Sequence, residues 1–104
     1  MRAGVTNGSS ECVEACFGCA RACDEAAAEL VENGDREVVN ALIAAVATTR
    51  LVGVLLGESD ELADGIAELC IAACRRCIEL GAGDPTLAEA VEACADCIAC
   101  LGLG

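Results

Sequence analysis

Cysteines spaced four, three and four residues apart, at Cys12, Cys16, Cys19 and Cys23, constrain this chain more than any other feature of its sequence. At about 100° per residue the four fall within an arc of roughly 60°, so they form one stripe along a single helix face. Cys70, Cys74 and Cys77 repeat the pattern. Cys94, Cys97 and Cys100 step by three and drift through roughly 120°, which sets Cys100 at the edge of its stripe or on a frayed last turn. Three helices therefore each carry a row of thiols on the side that a packed fold must bury.

The punctuation between the stripes supplies the rest of the architecture. Ser10 is placed to cap a first helix that ends before Asn33-Gly34, where Gly34 offers the left-handed conformation of a helix stop. A second helix begins at Asp35 and stops at Gly57. A third starts at Ser59-Asp60 and reaches Leu80, ahead of Gly81-Ala82-Gly83. The fourth opens on Asp84 as cap with Pro85 at its first position and ends near Leu101-Gly102. Connections this short force consecutive helices to pack antiparallel, so the expected fold is all-α, an up-down four-helix bundle with a cysteine-lined core. Residues 1–9 are expected to be a flexible N-terminal segment and 10–104 the bundle domain. One domain is what 104 residues allow.

The second helix lacks cysteine, and its stretch 38–56 is nearly all apolar. Its length is that of a bilayer span, but Asn40, Thr48, Thr49 and Arg50 argue for a buried core helix instead. Its inward face is supplied by Ala41, Ala45, Thr48 and Val52, or by the neighbouring register Leu42, Val46, Thr49 and Gly53. Being apolar around much of its circumference, it is also expected to pack against another subunit.

Charge and composition remove whole classes of function. Eighteen acidic against six basic residues leave a formal charge of −12, which repels nucleic acid and anionic membrane and favours cationic partners. All six basic residues are Arg, and His, Lys, Trp and Tyr are absent. Histidine catalysis, lysine Schiff bases and aromatic base-stacking platforms are thereby excluded. The opening segment MRAGVTNGSS has no apolar run, which points to a reduced, cytoplasmic location where thiols serve metal or redox chemistry more often than structural bridges.

Cysteine is a small hydrophobe that packs well in a core, yet Ala or Leu would fill the same space without liability to oxidation. Disulfides between residues four apart on one helix do not form, so bridges would have to run between helices, and a bundle of this size does not need five of them. Metal binding is the remaining reading. An all-thiolate interior is soft and favours Cu(I), Zn(II) or an iron–sulfur cluster. Zinc prefers closed sets of four ligands on loops and turns, and iron–sulfur ligands come from a wrapped loop, although Cys94, Cys97 and Cys100 carry part of a ferredoxin spacing. A continuous file of thiols suits Cu(I), whose ions share bridging sulfurs.

The run Cys12-x3-Cys16-x2-Cys19-x3-Cys23, with Cys70-x3-Cys74-x2-Cys77 and Cys94-x2-Cys97, resembles the cysteine-rich four-helix-bundle copper storage proteins over about residues 10 to 101. The resemblance implies a binding and storage protein, not an enzyme, that holds several Cu(I) ions per chain on Cys12, Cys16, Cys19, Cys23, Cys70, Cys74, Cys77, Cys94, Cys97 and Cys100. It implies copper ions and a copper chaperone as partners, a cytoplasmic setting, and a homo-oligomer, a tetramer in the cytosolic members. An iron–sulfur electron carrier or a zinc-thiolate protein is the alternative. The chain departs from the family in three respects: its second helix has no cysteine, it has no His, and its only Met is Met1. With the first and third helices pointing up and the fourth down, the sulfurs should form one staggered file, dense below and sparse above. Buried in an apolar core, their pKa values should all rise.

Overall fold

Asp35, Ser59 and Asp84 cut the chain into its helices, each by accepting a hydrogen bond from a backbone N–H that the first turn leaves unpaired. Asp35 Oδ1 accepts from Glu37 N at 2.8 Å, Ser59 Oγ from Leu62 N at 3.4 Å, and Asp84 Oδ1 from Thr86 N at 2.9 Å. In the computed structural model the resulting elements are α1 (Ala3–Leu30), α2 (Arg36–Glu58), α3 (Asp60–Gly81), a 3-10 turn at Pro85–Leu87, and α4 (Ala88–Leu103). The structure describes the backbone of residues 3–103 and the side chains of residues 10–102. α1 and α3 each pack against both α2 and α4, which makes a closed antiparallel four-helix bundle measuring 50 × 20 × 18 Å.

Two local expectations are corrected. Ser10 does not cap α1, because the helix continues back to Ala3. Asn7, Gly8, Ser9 and Ser10 are poor helix formers, but none of them forbids the helical conformation as Pro would. Gly34 is not left-handed either, and among the described residues only Gly83 has a positive φ, at 82°. What Gly34 provides is room. Its N–H donates to Leu30 O at 2.6 Å, and a Cβ there would stand 2.6 Å from Leu30 Cβ.

Both candidate registers of α2 turn inward together. Ala41, Leu42, Ala45, Val46, Thr49, Val52 and Gly53 are buried, while Thr48 is half-buried. The Thr48 and Thr49 hydroxyls both donate to the Ala45 carbonyl, at 3.3 and 2.6 Å, so these polar groups are satisfied within the helix. Gly53 seats the only aromatic side chain, since a Cβ at that position would lie 2.9 Å from Phe17 Cζ. By length and composition alone α2 is apolar enough to cross a membrane. In the bundle one side of it is core, whereas Ile43, Leu51 and Val54 on the other side are about half exposed. The Arg76–Glu37 ion pair at 2.6 Å ties α3 to α2 at the surface, where such pairs contribute little.

Candidate metal centre

The thiol stripes of α1, α3 and α4 meet along the bundle axis. All ten cysteines are free thiols. Cys16, Cys19, Cys23, Cys70, Cys74, Cys94 and Cys97 have no exposed surface, Cys77 is buried, and Cys12 and Cys100 are half-buried. The interior around them is otherwise built of small side chains, chiefly Ala20, Ala26, Ala27, Ala41, Ala45 and Ala90. That composition leaves the sulfurs within reach of one another.

The thiols lie in successive levels. Cys12 and Cys100 interact at one end of the file. Cys16 Sγ lies 3.7 Å from Cys97 Sγ, and Cys70 joins that level through Cys97. One turn further, Cys19 Sγ stands 3.6 Å from Cys94 Sγ and 4.0 Å from both Cys74 and Cys23. Cys23 Sγ is 3.6 Å from Cys94 Sγ, and Cys77 lies beside Cys23. Cys77 also donates to the Ala41 carbonyl at 3.1 Å.

Among the described residues two triads have sulfurs mutually within 4.8 Å, Cys19 with Cys23 and Cys94, and Cys19 with Cys74 and Cys97. Each draws on more than one helix. They share Cys19, so the densest part of the file is its middle.

The file therefore differs from the expected one, which was dense below and sparse above. The cause is the start of α1. Running the helix back from Ser10 to Ala3 adds roughly 10 Å below the stripe and lifts Cys16 to Cys23 into register with Cys70 to Cys77 on α3.

The thiols also divide in acidity, whereas the sequence argues for a uniform rise. Burial, followed by the hydrogen bond with Cys100, pushes Cys12 up to about 12. Cys77 is pushed up to about 12, chiefly by its hydrogen bond with Cys23. Cys70 is held down by Cys74, but Cys97 and burial outweigh it and bring Cys70 to about 11. Cys16, Cys74 and Cys94 are raised as well, first by their hydrogen bonds with Cys97, Cys19 and Cys19 respectively. Two thiols go the other way. Its hydrogen bonds with Cys23, Cys74 and Cys94 hold Cys19 down to about 5, and Cys16, with further neighbouring thiols, lowers Cys97. Neighbouring S–H groups that donate to one sulfur stabilise its thiolate, and their own ionisation becomes harder in consequence. Cys19 and Cys97, the two thiols shifted downward, both belong to a triad.

Sequence reasoning did not anticipate what α2 brings to this centre. Its Ala41 carbonyl accepts from Cys77, and Thr48 reaches Cys70. A backbone carbonyl leaves no mark in a sequence, and Thr48 reads there only as packing.

Comparison with known proteins adds one match. The model of the family Csp, described as copper storage protein, matches residues 5–102, nearly the whole chain. No curated protein and no solved structure matches.

Proposed function

The chain belongs to the Csp copper storage protein family, and from that premise we propose that its core holds several copper ions as Cu(I), shared among the thiolates of α1, α3 and α4. The observation that carries this reading is the pair of fully buried thiol triads joined at Cys19. Charge selects the oxidation state and the metal. One Cu(I) per thiolate is neutral, and bridging sulfurs let neighbouring ions share ligands, so a filled core of this kind need not bury net charge. Zn(II) on four thiolates carries two negative charges. The described Arg residues are all exposed, so none stands inside to balance them.

All ten cysteines take part in this reading, with Cys12 and Cys100 at one end and the other eight inside. It places the protein in the reducing cytoplasm as a store rather than an enzyme, with a copper-carrying donor protein as its partner. Anaerobic titration of the reduced chain with Cu(I) against a competing chelator is expected to saturate at several ions per chain. Ultraviolet thiolate-to-copper bands should appear against a background free of Trp and Tyr. Saturation at one ion or none overturns the reading, and a brown iron-containing protein favours the iron–sulfur alternative.

The half-exposed row Ile43, Leu51 and Val54 supports assembly into a homo-oligomer through α2, a tetramer by likeness to the family. Leu51→Asp is expected to dissociate it, because the substitution leaves an unpaired charge in an apolar contact. Sedimentation of both proteins checks this, and a monomeric parent refutes it.

A further inference from the structure

A groove of about 540 Å³ runs along the outside of the bundle between α1 and α4. Its exposed rim carries Glu11, Glu14 and Glu25 from α1 and Glu89, Glu92 and Asp96 from α4, with Arg21 as the only basic residue lining it. Its half-buried floor is made of Ala15, Gly18, Ala22 and Ala93. One thiol of the ten borders it, and that thiol is Cys19. The groove is therefore lined by the residue common to both triads.

We propose that copper enters the core sideways, through this seam between α1 and α4, and lands first on Cys19. The proposal rests on the storage reading above and names its route. Cys19 has no exposed surface, so the seam is closed at rest. The floor of the groove consists of three alanines and a glycine. Gly18 has nothing within 4 Å of where its Cβ would stand, so it faces the open space of the groove and presents no side chain there. A small separation of α1 from α4 then brings a bare or weakly liganded Cu(I) against Cys19 without moving a large side chain. The six carboxylates raise the local concentration of cations at the entrance, which accelerates capture and makes it sensitive to salt. The seam also lies away from α2, since α4 packs against α1 and α3. An oligomer formed through α2 leaves it open.

The test is a rate measurement on the reduced, metal-free full-length chain. Cu(I) is supplied as its acetonitrile complex, and the ultraviolet thiolate-to-copper absorbance is followed by stopped flow. Gly18→Leu removes no ligand and fills the floor of the seam. It is expected to slow uptake several-fold while the final copper content stays that of the parent. Gly65→Leu adds the same side chain at an exposed helical glycine of α3 that also has nothing within 4 Å, and it should load at the parent rate. Should Gly18→Leu fold poorly, the double variant Glu14→Gln with Glu92→Gln decides the matter through slower uptake and a weaker dependence on ionic strength. Parent-like rates in the seam variants overturn the route while leaving storage intact. A parent chain that binds one ion or none overturns storage itself.

Discussion

Filling the core with copper is expected to raise the unfolding midpoint of the reduced chain by tens of degrees. The centre of the metal-free core is built of small side chains. Among the described residues its buried side chains are mostly Cys and Ala, with only Leu42, Val46, Val52 and Leu87 as larger buried aliphatics. A ligand that binds only the folded chain adds about 4 kcal/mol per site at a thousandfold excess over its dissociation constant. Each kcal/mol moves the midpoint of a domain this size by roughly 4–8 °C. Two triads filled at that excess therefore add about 8 kcal/mol, less whatever the unfolded thiols bind. The gain should grow as pH rises. Cys12, Cys70 and Cys77, raised to about 12, about 11 and about 12, hold their protons at neutrality, and each proton displaced by metal favours loading at lower proton concentration. Far-ultraviolet circular dichroism on anaerobic samples with and without copper, at about pH 6 and about pH 8, provides the measurement. An unchanged midpoint refutes storage in the core.

Replacing Cys19 by Ala should cost the chain more copper than replacing any other single thiol, and more than about one ion. Cys19 belongs to both triads, so its loss leaves two candidate sites with two sulfurs each. Cys77 is the contrasting case. It belongs to neither triad and directs its S–H to the Ala41 carbonyl, so Cys77→Ala should cost about one ion or less. Metal analysis after desalting compares the two variants. Equal losses would mean that the bound metal rearranges the thiols away from the triads seen here.

Much of this arrangement is legible in the residue order because the signals are local. The caps Asp35, Ser59 and Asp84 and the three- and four-residue cysteine steps each dictate structure within a turn or two, and together they give the helices, their order and the thiol-lined core. Two other features depended on longer-range geometry. The vertical register of the stripes hung on where α1 begins, and Asn7-Gly8-Ser9-Ser10 reads as a boundary when helix propensity is weighed alone. The division of the thiols into two with lowered and several with raised pKa values came from distances between sulfurs on different helices, such as Cys16 to Cys97 and Cys19 to Cys94. No spacing along one helix encodes those distances.

The helix without cysteine has a consequence for how an assembly would behave. Coupling between sites requires that filling one change the energy of the surface through which the next is felt. In this chain α1, α3 and α4 carry the sulfurs, and α2 carries the apolar outer row. Among the described residues the polar links from the sulfurs to α2 are two, from Cys77 to a backbone carbonyl and from Cys70 to Thr48, and the rest of the contact is with small apolar side chains such as Ala41 and Ala45. Subunits joined through α2 would therefore load independently, each insensitive to whether its neighbour is empty or full. Uptake by the whole would then show no cooperativity between protomers, and a partly supplied population would hold a graded mixture of fillings rather than a division into empty and saturated particles.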